Sequence, residues 1–208
     1  MKPQIDHLAY AAPSLEAGMK AIEELLGVAP VKGGQHEGLG THNALLGLGT
    51  GVYLEIIAPD PDQPTPDRPR PFGVDTVNEP RLATWIARTS ELREIVETSR
   101  DSGYDPGEIV SLSRRKPDGT LLSWRMALHD EPPGDGIVPP LIDWGETPHP
   151  SADLPNGGAF VALRAEHPLP DDIRRILRTL QLDLDVSAGP APALIATIET
   201  ERGPIELR

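Results

Sequence analysis

The chain has 208 residues, a formal net charge of −13 and no cysteine. The acidic balance makes nucleic acid and anionic membranes poor partners, and the lack of cysteine excludes disulfides, thiolate metal sites and cysteine nucleophiles. With 24 prolines and 20 glycines, the sequence predicts short elements joined by many loops. No long apolar run resembles a signal peptide or a membrane span, so we expect a cytoplasmic protein.

The first sixty residues predict a β-α-β-β-β unit. An apolar strand at residues 5–12 is followed by a helix that Ser14 caps, with apolar residues at helical spacing. Three strands follow: a weak one at residues 28–36 and two short apolar ones at residues 45–48 and 52–57. A glycine-rich turn joins the last two.

A similar order of elements returns twice, between two proline-rich segments, and we expect all of it to form one compact domain. The predicted division is a first unit at 1–60, a connector at 61–80, a second unit at 81–130, a lid or arm at 131–156 and a third unit at 157–208. Ser90 is predicted to cap the second helix, and the third helix is predicted over residues 171–182.

Polar residues interrupt the apolar strands of the first unit. Glu55 lies inside Tyr-Leu-Glu-Ile-Ile, and His42 and Asn43 open the preceding strand. A carboxylate buried in an apolar strand costs several kcal/mol unless a cation or hydrogen-bond donors meet it. Two readings remain open: Glu55 points to water from an edge strand, or it faces a pocket and binds something.

The first unit opens with Ile-Asp-His-Leu-Ala-Tyr and closes with Tyr-Leu-Glu-Ile-Ile-Ala-Pro. In this it resembles the vicinal oxygen chelate superfamily of glyoxalases, extradiol dioxygenases, methylmalonyl-CoA epimerases and bleomycin-resistance proteins. Gly-Thr-His-Asn-Ala-Leu, the Ser-Arg-x-x-Pro-Asp-Gly turn and Pro-Leu-Ile-Asp-Trp with a later His-Pro resemble its glyoxalase-like branch. The resemblance implies an α+β fold whose βαβββ units pair into a curled mixed sheet, a half-barrel cup, with helices on the outer face.

The resemblance also implies a divalent metal ion (Zn, Mn, Fe, Ni or Co) in the cup. His7 and Glu55 match one pair of the superfamily's ligands. The partner pair is missing, because Thr84 stands where the second His is expected and Arg125 or Ser123 where the second Glu is expected. Either His42, water and substrate complete the coordination sphere, or the metal has been lost.

Arginines offer a second way to bind a ligand. The last strand of the second unit is predicted at residues 121–128. Arg125 is predicted on its pocket face, with Arg114 at the turn nearby. Guanidinium groups pair bidentately with carboxylate or phosphate, so the pocket is predicted to accept a small acid. The alternative is that Arg125 only pairs with Glu55 inside the barrel.

Other candidates for contact with a substrate come from the same strands and from the arm. They are Asn43, Tyr53, Trp124, Trp144 and His149. Strand alternation places Asn43 in the cup and His42 on the outer face, although a strand end next to glycine can twist. Tryptophans at such positions are more often anchors of the core or of the arm than platforms for a substrate.

The function predicted from the resemblance is an enzyme that acts on a small oxygenated or acidic metabolite. His7 and Glu55 would be catalytic, in a lyase, isomerase or dioxygenase reaction. The alternative is a protein that binds or sequesters a small molecule without catalysis. Because three units cannot pair evenly, the third is predicted to pair within a homodimer or to extend the sheet beside the cup.

Overall fold

The computed structural model describes residues 2–130 and 133–208. Met1, Glu131 and Pro132, which fall within the predicted segments, lie outside the described residues. The helices are α1 (Leu15–Leu26), α2 (Leu92–Asp101) and α3 (Pro170–Thr179). The strands are β1 (Gln4–Ala11), β2 (Val31–His36), β3 (Thr41–Gly47), β4 (Tyr53–Pro59), β5 (Arg81–Arg88), β6 (Glu108–Arg115), β7 (Leu121–Leu128), β8 (Leu141–Asp143), β9 (Ala159–His167), β10 (Asp185–Ala188), β11 (Ala193–Thr200) and β12 (Gly203–Leu207).

Eight strands close into a barrel in the order β1-β4-β3-β2-β6-β7-β8-β5. The first two units contribute four neighbouring strands each, and in both units the first and fourth strands are parallel. The barrel closes where β1 pairs with β5 and β2 pairs with β6, both antiparallel. The predicted α+β fold of paired βαβββ units is confirmed, and the curled sheet closes completely.

The main hydrophobic core lies outside the barrel. Side chains of α1 such as Ile22 and Leu26 pack with outward-facing strand residues such as Leu46 and Leu54. Full burial of such a side chain stabilises the fold by roughly 1.5–3 kcal/mol. Many apolar side chains of the first unit's strands lie in this outer layer, while the polar residues His7, Asn43 and Glu55 of the same strands face the barrel interior.

Local capping agrees with the sequence in α1 and differs in α2 and α3. Ser14 Oγ accepts a hydrogen bond from the Ala17 amide at 3.2 Å, as predicted. The N-cap of α2 is Glu91 rather than Ser90. Helix α3 ends at Thr179 rather than residue 182, because Gln181 takes a left-handed conformation with φ 59°.

The third unit is not a third copy of the first. Its sheet has the order β10-β9-β11-β12, so its first strand pairs in parallel with its second. In the barrel units the first strand pairs in parallel with the fourth instead. The element order was the same, but element order does not determine strand pairing. The unit forms its own sheet beside the barrel, and a homodimer stays a prediction.

The proline-rich segment after β7 is built into the barrel. It contains β8, which pairs with both β7 and β5 and is the fourth strand of the second unit. Before β8, the carbonyl of Ile137 accepts from Trp85 Nε1 at 2.8 Å, and that of Gly136 accepts from Thr84 Oγ1 at 2.8 Å. The prediction that the second unit ends with the strand at residues 121–128 is therefore wrong, and residues 133–143 are not a free arm.

None of the helices within the described residues has the length and apolar character needed to cross a bilayer.

Candidate active site

The barrel contains a small cavity of about 40 Å³. One part of its wall is polar, formed by His7, His36, Asn43, Tyr53, Glu55 and Arg114. The rest is apolar or aromatic, formed by Leu39, Ile57, Pro71, Phe72, Leu112, Trp124, Met126, Leu128, Ile142 and Trp144. A few convergent polar groups in an apolar wall are typical of small-molecule sites.

His7 and Glu55 meet in this cavity. In the parallel pairing of β1 and β4, Ala9 is opposite Glu55, which puts His7 and Glu55 diagonally on the inner face. The imidazole Nε2 lies 3.4 Å from the carboxylate Oε2, and both side chains are buried. A solvent-facing Glu55 is thereby ruled out.

Asp6 supports His7 from behind, a role that the sequence did not indicate. Its Oδ1 lies 2.6 Å from His7 Nδ1, and its Oδ2 accepts from Trp144 Nε1 at 3.0 Å and lies 2.9 Å from His149 Nε2. Strand alternation predicts opposite faces for Asp6 and His7. The pairing of β1 with β5 is irregular between Ile5 and His7, and such a bulge re-aims a side chain.

Asn43 holds the other oxygen of Glu55. Its amide Nδ2 donates to Glu55 Oε1 at 2.6 Å and lies 3.2 Å from His36 Nε2, while its Oδ1 accepts from Arg114 Nη1 at 3.3 Å. The arginine thus fixes the orientation of the amide. Since Nδ2 has two hydrogens, His36 Nε2 acts as an acceptor, and His36 Nδ1 donates to Thr41 Oγ1 at 2.9 Å.

These contacts set opposite charges on His7 and Glu55. Burial lowers the pKa of His7, but hydrogen bonds and negative charge from Asp6 and Glu55 outweigh it and raise the pKa to about 9. Burial raises the pKa of Glu55, but His7, His36 and Asn43 outweigh it and lower the pKa to about 2. At neutral pH the two form a buried ion pair.

Asp6 and His36, which flank the His7–Glu55 ion pair, have charges that are compatible with it. Burial raises the pKa of Asp6, but hydrogen bonds from His149 and His7 outweigh it, so that the carboxyl is ionised. Burial lowers the pKa of His36 to about 4, with Arg114 adding to the effect and Glu55 opposing it. His36 is therefore neutral, in agreement with its hydrogen bonds.

A sequence profile described as "Glyoxalase-like domain" matches residues 5–181. The chain belongs to the glyoxalase-like domain family. A search of curated proteins finds no match to this glyoxalase-like protein.

Solved structures are similar to this chain at low sequence identity. A hypothetical protein from Staphylococcus aureus has a TM-score of 0.66 and 10% identity, with 99% of each chain covered. Methylmalonyl-CoA epimerase from Mycobacterium tuberculosis has a TM-score of 0.43 and 19% identity, covering 68% of this chain and 87% of that one. A hypothetical protein from Bacillus halodurans has a TM-score of 0.46 and 13% identity, covering 71% and 99%.

The glyoxalase-like protein has some of the donors that a metal ion needs, but not their arrangement. Imidazole and carboxylate suit Zn²⁺ or Fe²⁺, and His7 Nδ1 is held by Asp6 as in many metal sites. Across the barrel, however, Ile86, Met126 and Ile142 form an apolar cluster. Within residues 2–130 and 133–208, no group of three or more His, Asp or Glu could hold a metal ion.

Most of the predicted contact residues lie at the cavity of this glyoxalase-like protein. Tyr53 stacks on His7 with ring centroids 4.5 Å apart, and Trp124 and Trp144 pack together at 5.3 Å in the wall. His149 is behind the wall, where its ring meets the edges of Tyr53 and Trp144 and its Nε2 contacts Asp6.

Two predicted residues lie elsewhere. His42 faces outward, with Nδ1 3.7 Å from Asp60 Oδ1, and does not line the cavity. Arg125 pairs with Asp143, and its side chain is 51% exposed. Trp124 and Met126 point inward from β7, so the residue between them points outward. The predictions that Arg125 faces the pocket or pairs with Glu55 are wrong, and Arg114 lines the cavity instead.

The connector before β5 also contributes to the cavity wall, although its sequence predicts only a proline-rich connecting segment. Phe72 lines the cavity from a short helical turn at Pro71–Thr76. Its φ of 61° is left-handed, which costs about 1–2 kcal/mol for a residue with a side chain. Neither strand patterns nor charge could have indicated this residue.

Proposed function

We propose that the protein is an enzyme that moves a proton on a small oxygenated or acidic metabolite, as isomerases and lyases do. The observation that carries the proposal is the Glu55 carboxylate in the cavity wall, 6% exposed and held by His7 and Asn43. A buried carboxylate that is ionised at neutral pH and reaches the cavity has the protonation state that a general base needs.

Each neighbour of Glu55 has a part in the proposed reaction. Asn43 and His7 fix one carboxylate oxygen each, so the base is aimed before the substrate arrives. Asp6 keeps His7 protonated and oriented. Glu55 would accept a proton from a carbon next to a substrate carbonyl and give it back to a neighbouring atom.

One base favours a proton shift over a two-base inversion. Among the described residues that line the cavity, Glu55 is the single carboxylate. The opposite wall holds Leu112, Met126 and Ile142, which cannot exchange a proton. Of the predicted reaction types, isomerisation and elimination are the ones in which a single base moves a proton.

The experiment uses deuterium uptake, which requires no knowledge of the product. The full chain is incubated in D₂O with a panel of small 2-oxo and 2-hydroxy acids, and proton NMR follows the exchange of carbon-bound hydrogen. We expect at least one acid to exchange, and Glu55→Gln to slow that exchange about 10²–10⁴-fold. Glu24→Gln, an exposed change on α1, is the matched control and should keep the wild-type rate.

A second candidate is a binding protein without catalysis, which the large apolar share of the cavity wall favours. Ligands of the panel that raise the melting temperature while no hydrogen exchanges would support it over the enzyme.

Metal dependence is a separate proposal, inherited from the resemblance. Stoichiometric metal in protein purified without a His-tag, lost in His7→Ala and in Glu55→Gln, would support it. Protein that exchanges deuterium at full rate after dialysis against a chelator would contradict it.

A further inference from the structure

Two buried N–H groups in the cavity wall have no hydrogen-bond partner within residues 2–130 and 133–208. They are Nε of Arg114 and Nε1 of Trp124. Both side chains line the cavity, and the Arg114 side chain is only 4% exposed. A buried donor without an acceptor costs about 1–3 kcal/mol, and more if it is charged. Such groups in a ligand cavity indicate that the ligand supplies the acceptor.

The two groups are neighbours on the inner face of the barrel. In the pairing of β6 and β7, Leu112 is opposite Trp124, and Arg114 follows Leu112 on the same face. Arg114 is also opposite His36 on β2, and the His36 ring meets Trp124 edge to face at 6.1 Å. Side chains of this length reach one another across a diagonal strand pair.

The charge of Arg114 is not matched by a nearby carboxylate. One guanidinium nitrogen, Nη1, donates to the neutral amide of Asn43 at 3.3 Å. In the described part of the chain no Asp or Glu pairs with Arg114, whereas the adjacent Arg115 pairs with Glu37 at 2.8 Å. A buried cation without a counter-ion favours an anionic ligand.

We propose that Arg114 and Trp124 form a subsite for the carboxylate of an apolar carboxylic acid. The acid's two oxygens would accept from Nε of Arg114 and Nε1 of Trp124. The acid's body would lie against the neighbouring apolar side chains Leu112, Met126 and Ile142. The proposal rests on the proposed function in one respect: Asn43 links Arg114 to Glu55, so a bound acid would present its adjacent carbon near the base.

The test compares the binding of a carboxylic acid with the binding of the uncharged amide of the same shape. Calorimetry measures the dissociation constants of 4-methylpentanoate and 4-methylpentanamide, which differ in charge and hardly in shape. We expect wild-type protein to bind the acid about 10–100-fold more tightly than the amide. Arg114→Gln should abolish this preference, and Arg114→Lys, which keeps the charge without the planar fork, should restore part of it. Arg115→Gln, its exposed neighbour, is the control and should keep the full preference.

Trp124→Phe removes one N–H and keeps an aromatic ring. We expect it to weaken binding of the acid about 3–10-fold while unfolding at the wild-type temperature. Equal affinity for acid and amide, no binding of the acid up to about 10 mM, or a preference that survives Arg114→Gln would overturn the subsite. Tighter binding of 3-methylbutyl phosphate than of the acid would overturn its assignment to a carboxylate.

Failure of the subsite and failure of the proposed function are distinguishable. If Glu55→Gln abolishes deuterium exchange while acid and amide bind equally well, the proposed role of Glu55 as the base is supported and the proposed subsite is contradicted. If the protein prefers the acid, Arg114→Gln removes that preference, and no acid of the panel exchanges hydrogen, the subsite is supported and the role of Glu55 as the base is contradicted.

Discussion

His7 Nε2 lies 3.4 Å from Glu55 Oε2, inside a barrel whose first and fourth strands run side by side. The pair is flanked by a second carboxylate, Asp6, on the far nitrogen of the imidazole, and by the Asn43 amide on the other carboxylate oxygen. Burial makes every one of these contacts matter, because neither charge has water to replace a lost partner.

Stability should depend on pH through the His7–Glu55 pair. The folded pKa of His7 is about 9, above its usual 6.5, so its contribution is complete below pH 6.5 and is lost as the pH rises through 9. The folded pKa of Glu55 is about 2, below its usual 4.5, so its contribution is complete above pH 4.5 and is lost as the pH falls through 2. We expect the pair to contribute fully between pH 4.5 and 6.5.

The loss of stability at alkaline pH is easier to measure than the loss at acidic pH. The pKa rise of His7 from 6.5 to about 9 corresponds to on the order of 3 kcal/mol of unfolding free energy, lost by pH 9.5–10. Urea denaturation at pH 6 and at pH 9.5 measures it. In His7→Gln the unfolding free energy should change much less between pH 6 and pH 9.5. An equal change in both proteins would show that groups other than His7 cause the pH dependence.

Asp6→Ala should destabilise the protein by about 2–4 kcal/mol. The change leaves His7 Nδ1, Trp144 Nε1 and His149 Nε2 without their shared acceptor. Urea denaturation at pH 6 measures the loss. Asp101→Ala, on the exposed end of α2, is the matched control, and a loss as small as the control's would contradict the buried network.

His36 should remain neutral, with its proton on Nδ1, throughout the range in which exposed histidines titrate. Burial and Arg114 hold its pKa near 4, and Asn43 donates to its Nε2. Two-bond nitrogen–proton NMR spectra distinguish the two neutral tautomers from the cation. A His36 signal that moves with a midpoint near pH 6.5 would contradict the assigned hydrogen bonds.

Gly136→Ala should destabilise the barrel far more than Gly119→Ala. Both glycines have left-handed φ values, 90° and 86°, so the backbone cost of a side chain is similar. A Cβ at residue 136 would lie 2.1 Å from the Ala83 carbonyl oxygen, while at residue 119 it would meet nothing within 4 Å. Equal melting temperatures for the two variants would contradict the packing of the segment before β8 against β5.

Much of the fold could be predicted because each strand and helix has a local signal. Apolar runs, the Ser14 cap and the glycine-rich turns indicated the elements of the first unit. Strand pairing has no such signal, since it depends on which edges meet. Element order therefore predicts the third unit as a copy of the first although its strands pair differently, and β8, with three residues, is too short to give a strand signal.

The site was predictable where strand alternation holds. His7, Asn43 and Glu55 face the cavity as their positions along β1, β3 and β4 require. Alternation fails at Asp6, because of the irregular pairing between Ile5 and His7, and it could not identify Phe72, which lies on a loop. His36 was missed because its strand contains two glycines and little apolar sequence.

The protonation state of His7 tests the account most directly, without any knowledge of the substrate. NMR titration of the six histidines, with His7 assigned by its loss in His7→Gln, follows the imidazole from pH 5 to 10. We expect a midpoint near 9 in the wild-type protein and a clearly lower one in Glu55→Gln. A midpoint near 6.5 in both proteins would contradict the buried ion pair on which the proposed base depends.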